Sequence, residues 1–252
     1  MKRSKILINI LIVITSLFLI YKVYSYIDVK RQEKESVDIY KKIEDIGLKR
    51  TKDAGDDHGD AYNGADENDE DAKKVDFDAL ESISKDIVSW IESDEGSIDY
   101  PVVKGKNNTY YLYHAVTGQR NLVGSIFMDY RNESMADPMI MIYGHVVKNG
   151  TMFASLHEFK KNPTETGFTI YTREQDFRTT CVLAARVSGE TYINPKDYKT
   201  FEKRKELYSF LKKHAVYDTG YELKEDDQII NLVTCTYEAK NQRLIVMTVV
   251  DR

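Results

Sequence analysis

The stretch Ile229-Ile230-Asn231-Leu232-Val233-Thr234-Cys235 is a mostly apolar, β-branched run that stops at a cysteine. Its length and composition predict a buried strand. A polar connection, Thr236 to Gln242, follows, and Arg243 opens a second apolar run, Leu244 to Val250. Two such runs around a short loop read as adjacent antiparallel strands. Cys235 and Arg243 then stand at the same end of the pair. Ninety residues upstream of Cys235, the apolar run Met139 to Tyr143 ends in Gly144-His145. A thiol, an imidazole and a guanidinium, each at the mouth of a predicted strand, are the parts of a thiol acyl-transfer site.

Outward from these three runs, β-type segments dominate the second half of the chain. Ile98 to Val103, Ser125 to Met128, Pro138 to Tyr143, Phe168 to Thr172, Thr179 to Val187, Gln228 to Thr234 and Leu244 to Val250 read as strands. Pro101 is tolerable where one side of a strand is unpaired. Two helices interrupt them, over about Met152 to Phe159 and Thr200 to His214, the second between the fifth and sixth of these strands. A third helix is predicted from Phe77, Leu80, Ile83, Ile87 and Ile91, which fall at helical spacing. Short strands without βαβ alternation imply an antiparallel or mixed barrel, mainly β with flanking helices.

The N-terminus is different. Lys2, Arg3 and Lys5 precede Ile6 to Ile20, which carry no charge, and Val23 to Ile27 extend the run past Lys22. Residues 6–27 suffice to span a bilayer if Lys22 reaches the interface, where Tyr21, Tyr24 and Tyr26 also fit. The basic end stays in the cytoplasm, leaving 1–5 as a tail and everything after about Asp28 outside. A cleaved signal peptide, with Val23-Tyr24-Ser25 at the cut, is the rival reading. Residues 28–74 read as a charged spacer. Val37, Tyr40, Ile43 and Ile46 predict a short amphipathic helix in it. Asp53 to Asp71, with nine acidic residues and no Lys or Arg, predicts a solvated flexible segment. Its spacing does not match a calcium loop. The catalytic domain is then 75–252.

Net charge is -5, with no basic stripe, which argues against nucleic acid as a partner. No Cys/His spacing suggests zinc, and no cofactor is expected. Of two cysteines, Cys181 sits inside an apolar run and reads as core, whereas Cys235 lies where the run ends. Among five histidines, His145 is the first candidate partner and His114 the second; His58, His157 and His214 read as linker or surface residues. Arg243 is the candidate oxyanion stabiliser, while Arg131, Arg173 and Arg178 have no comparable placement.

These motifs resemble those of sortases. Leu232-Val233-Thr234-Cys235 with Arg243 is similar to the sortase TLxTC…R signature, and Tyr143-Gly144-His145 to the catalytic-histidine segment. Ile98-Asp99-Tyr100-Pro101-Val102-Val103, Tyr110-Tyr111-Leu112, Gly124 to Asn132 and Gly150-Thr151-Met152-Phe153 resemble class B members specifically. The resemblance covers Phe77 to Arg252. It implies a closed barrel of seven or eight strands with N-terminal helices and a long helix between strands 6 and 7. It also implies a cysteine transpeptidase on the outer face of a Gram-positive membrane. Such an enzyme cuts an NPxTx-type signal of surface proteins after Thr and passes the acyl group to an amine of peptidoglycan or its lipid-linked precursor. Cys235, His145 and Arg243 would be catalytic; Thr234 and Thr236 are weaker candidates for substrate or oxyanion contact. Two positions depart from the class pattern: Val233, where Ser is frequent, and Val146, where a polar residue is frequent. A hydrolytic cysteine peptidase and a non-catalytic tethered binding module are the alternatives.

Overall fold

The computed structural model describes residues 2–49, 73–161, 163, 166–235 and 241–251; of residues 2–4, 49 and 235 the backbone alone is described. The acidic segment Asp53 to Asp71, with His58, lies outside the described residues, as does Thr236.

A single helix, α1 (Lys2–Gly47), spans 46 residues. At 1.5 Å per residue that is about 70 Å. Its first half, Ile6 to Tyr24, is exposed throughout, and is long and apolar enough to cross a membrane. The helix does not break at Asp28. Its second half rests on the barrel through a stripe of Ser36, Tyr40, Ile43 and Gly47, spaced three or four apart. Tyr40 packs edge-on against Tyr100, centroids 5.1 Å apart, and its hydroxyl donates to the Gly124 carbonyl at 3.3 Å. Leu80 packs so closely on Gly47 that a Cβ there would collide with it. Of the expected stripe, Tyr40 and Ile43 face the barrel; Val37 and Ile46 face solvent. The helical part of the expected spacer is therefore docked along the barrel wall.

Two short strands, β1 (Leu48–Lys49) and β2 (Lys74–Val75), pair antiparallel. α2 (Phe77–Glu81) follows, capped by Asp76, whose side chain accepts from Ala79 N. The helix expected to run on to Ile91 stops here. Ser82 ends it, Ser84 Oγ accepts from Asp86 N, and β3 (Ile87–Ser93) begins. The i,i+4 spacing of Ile87 and Ile91 also satisfies period two. In β3 both faces are covered, so Ile87, Ser89, Trp90, Ile91 and Ser93 are all buried.

The remaining strands are β4 (Asp99–Lys104), β5 (Ile126–Met128), β6 (Met139–Tyr143), β7 (Gly167–Tyr171), β8 (Phe177–Ser188), β9 (Ala215–Asp218), β10 (Ile229–Cys235) and β11 (Gln242–Val250). β5 joins β4 only from Val102, so Pro101 precedes that ladder. The sheet order is β11-β10-β6-β5-β4-β3-β7-β8, and β8 pairs with β11 to close an eight-stranded barrel. The twelve-residue β8 holds β11 along one side; along the other it holds first β7 and then β9, a strand absent from the sequence reading. The segment expected as a helix from Met152 is a 3-10 helix, Ser155–Lys160; Met152 itself has φ of 60° and cannot open an α-helix. α3 (Phe201–Lys212), capped by Thr200, lies where the long helix was expected, between the sixth and seventh barrel strands.

Two apolar clusters flank β6, β10 and β11. Ile140, Ile142, Ile230, Leu232, Leu244 and Val246 point into the barrel with Trp90 and Phe153. Met139, Met141, Ile229, Val233, Ile245 and Met247 point outward under Leu207 and Leu211 of α3. Burial on both faces explains why these strands read as continuous apolar runs rather than alternating ones. Cys181 on β8 is core, as expected, and burial pushes its thiol pKa up.

Ile91 is fully buried in β3, so Ile91→Ala should cost about 2–5 kcal/mol. The check is urea denaturation: a lower midpoint at unchanged slope is expected.

Candidate active site

Strands β6 and β10 run parallel with a constant offset, from Met139 opposite Ile229 to Tyr143 opposite Val233. Gly144 N donates to Val233 O at 3.0 Å and continues the ladder. Carried two residues on, the same offset sets His145 level with Cys235. The antiparallel register of β10 with β11 ends with Cys235 opposite Arg243. Three neighbouring strands, about 4.8 Å apart, thus present imidazole, thiol and guanidinium positions at one end. Met141, Tyr143, Val233, Arg243 and Ile245, all on the outward-facing positions, border a groove of about 380 Å³. Residue 235 shares the register parity of Val233. The segment from Asn108 to Tyr113 forms one wall and Thr191 to Ile193 the other.

His145 is half-buried, with Nε2 2.9 Å from the Leu112 carbonyl. A carbonyl only accepts, so Nε2 carries the hydrogen and Nδ1 is the nitrogen left for chemistry. The His145 carbonyl accepts from Phe153 N at 3.0 Å, and Val146 forms a β-bridge with Met152. The ring is therefore oriented by a backbone carbonyl across the groove, which meets the need raised by an apolar Val146. Arg243 is half-buried and has no carboxylate partner among the described residues. Thr234 borders the groove, but it shares the inward positions of Ile230 and Leu232 and is buried. Its hydroxyl has no hydrogen-bond partner among the described residues.

The other candidates separate cleanly. His114 is away from the groove lining and stacks on Tyr110 at 4.0 Å. Arg173 pairs with Asp78 and Glu81, and Arg178 with Asp94. Arg131 is the correction: it lines the groove. Its Nε and Nη2 donate to the two carboxylate oxygens of fully buried Asp129 at 2.8 and 2.6 Å. Asp129 also accepts from Asn108 Nδ2 at 2.8 Å and Tyr143 Oη at 3.1 Å. Arg131 reaches on to Tyr192 Oη and Ile193 O, each at 3.1 Å. One carboxylate therefore ties the floor to both walls. Asp129 and Arg131 lie in the turn that follows β5, where Asp129 Oδ1 also accepts from Arg131 N at 2.9 Å.

Burial alone would raise the pKa of Asp129, but the Arg131 hydrogen bonds, with Asn108 behind them, hold it below the usual carboxylate value. The bond to Asp129 in turn raises that of Arg131. Burial and then Asp129 push the Tyr143 phenol up, while Arg131 and Arg243 pull it down. Among the described residues, Arg131 is thus neutralised by Asp129 while Arg243 keeps its charge at the groove end.

A model described as the sortase domain matches residues 91–251. Sortase B of Listeria monocytogenes is 31% identical over 169 residues, covering 63% of this chain and 66% of that one. Sortase B of Staphylococcus aureus is 26% identical over 254 residues, covering 98% and 96%. The solved structure of the S. aureus sortase B-substrate complex superposes with a TM-score of 0.63 at 27% identity, covering 70% of this chain and 84% of that one.

Asp129→Asn should cost about 3 kcal/mol, because it leaves the Arg131 guanidinium inside without its counter-charge. Tyr143→Phe should cost about 1 kcal/mol. The Asp129 pKa is lower folded than unfolded, so its stabilisation is full above the unfolded value of about 3.9 and fades as pH falls through the folded one. Melting temperature measured down the acid limb should therefore fall less steeply in Asp129→Asn than in the wild type.

Proposed function

Because this chain belongs to the class B branch of the sortase family of cysteine transpeptidases, we propose that it cleaves an NPxTx-type sorting signal after its threonine. It then joins the acyl fragment to a peptidoglycan or lipid-linked precursor amine. The observation that carries this reading is the level alignment of residues 145, 235 and 243 at one strand end, over a groove. The S. aureus relative has been solved with a substrate, and the NPxTx class itself is what the class B motif resemblance implies.

In this mechanism Cys235 acts as the thiolate, beside a cationic His145 that carries a proton on Nδ1 as well as Nε2. Its sulfur adds to the threonine carbonyl carbon, and the carbonyl electron pair moves to oxygen. The Arg243 guanidinium stabilises that oxyanion. Nδ1 of His145 gives its proton to the departing amine as the C–N bond breaks, leaving a thioester. The acceptor amine then attacks the thioester carbon, Nδ1 takes the amine's proton, and the C–S bond breaks to return Cys235 as the thiolate. Through both steps Nε2–H keeps its bond to the Leu112 carbonyl, which strengthens whenever the ring is cationic. The apolar floor of Met141, Val233 and Ile245 keeps water from competing with these charges.

The exposed apolar half of α1 is read as the membrane anchor. Lys2, Arg3 and Lys5 place its N-terminus in the cytoplasm and the barrel outside. Thr236 is retained as a backbone oxyanion donor and Thr234 as a substrate neighbour; both are secondary to the three catalytic groups.

Mass spectrometry of NPxTx- and LPxTx-type peptides, with and without an amine acceptor, tests the reading. An amine-linked product, lost in Cys235→Ala and in His145→Ala, is the expected result. Free acid alone would point to a hydrolytic peptidase. No product from any peptide, with Cys235 inert to alkylation in the folded protein, would leave a binding module. Arg243→Ala should lower kcat about 100-fold or more with a smaller change in KM. Deleting Asp53 to Asp71 should leave turnover of soluble peptides unchanged.

A further inference from the structure

The barrel grips α1 immediately beyond its apolar run. The run ends at Ile27, and the Gln32 carbonyl accepts from Asn121 Nδ2 at 3.2 Å while Gln32 Oε1 accepts from Leu122 N at 2.9 Å. The helix is continuous between the two, so no hinge separates the membrane-length segment from the docked one. Five residues at 1.5 Å each put Gln32 about 7.5 Å beyond Ile27. The headgroup layer is about 5–7 Å deep on each side of a bilayer. Asn121 and Leu122 therefore stand at its outer edge. Later contacts lie higher on the same helix: Tyr40 with Tyr100 and Gly124, then Gly47 with Leu80. The loop ending at Leu122 is thus the lowest of these points on the barrel.

Its chemistry suits that level. In a chain with 41 carboxylates and net charge -5, Tyr100 to Met128 carries none, while Lys104, Lys106 and Arg120 fall within it. Tyr113 is 51% exposed and Leu122 45%. Tyrosines with one apolar and one wet end favour the bilayer interface, and cations near an anionic surface add attraction.

We propose that the loop Tyr110 to Leu122 rests on the outer edge of the headgroup layer of an anionic lipid bilayer, so that the catalytic groove opens at the membrane surface. The link is direct: Leu112 and Tyr113 are the groove wall, and the Leu112 carbonyl orients His145. This rests on the reading of α1 as a membrane anchor. Its consequence is that substrate and acceptor meet Cys235 while both are still held at the lipid surface.

The test uses the full chain in phosphatidylcholine/phosphatidylglycerol vesicles with acyl chains brominated near the headgroup. The native Trp90 is fully buried and is the only tryptophan. Leu122→Trp should show a blue shift and a loss of emission in brominated vesicles. Ile46→Trp, exposed on the same helix about 28 Å beyond Ile27, should show neither. Inserting seven helical residues between Ile27 and Asp28 adds two turns and lifts the barrel about 10.5 Å; it should restore the Leu122→Trp emission while soluble-peptide turnover persists. Vesicle flotation separates the failures. A chain that floats with its Leu122→Trp indole unquenched overturns the loop contact alone. A chain that does not float overturns the anchor reading and this inference with it.

Discussion

The parallel pairing of β6 with β10 is the constraint on which the rest depends. Most ladders of this barrel are antiparallel, and antiparallel neighbours can be joined by short turns. A parallel pair cannot be. The ninety-residue offset gives the chain room to build β7, β8, β9 and α3 before it returns beside β6. When it does return, the ladder that pairs Tyr143 with Val233 and bonds Gly144 N to Val233 O carries His145 and Cys235 to the same level. The antiparallel register of β10 with β11 brings Arg243 opposite Cys235. The site therefore inherits its geometry from backbone hydrogen bonds, which are harder to displace than side-chain contacts in a loop.

Charge in the groove follows a division of labour. Arg131 and Arg243 both border it, yet Arg131 is committed to Asp129, whereas Arg243 has no carboxylate among the described residues. A paired guanidinium holds structure, and an unpaired one can meet a new negative charge. The Asp129 network also explains how two loops of unrelated sequence keep a fixed separation. Asn108 comes from one wall and Tyr192 from the other, and both end on the same ion pair.

Much of this was legible in the chain. The strands covered on both faces announced themselves as apolar runs, and the residue at which each run stopped marked the mouth of the site. The resemblance added strand count and the place of α3. What escaped had physical causes. Ile87 and Ile91 satisfy helix and strand periods alike, and only the Ser82–Asp86 turn decides between them. β9 is four residues long and half-buried, too short to produce a pattern. Arg131 looked idle because its value depends on Asp129 being buried, which no local spacing reports. The N-terminal stripe was read correctly at Tyr40 and Ile43 but not at its ends, where Ser36 and Gly47 pack by being small and not by being apolar.

Barrel closure through β8 and β11 has one more consequence. Within the main sheet β9 alone lacks a second neighbour, and it is four residues ending in Asp218. A short, charged edge is a poor template for another strand. Copies confined to a plane collide far more often than copies in solution, and any open ladder would zip them together. Among the described residues this main sheet gives neighbouring copies little to pair with, so even close crowding leaves each barrel separate.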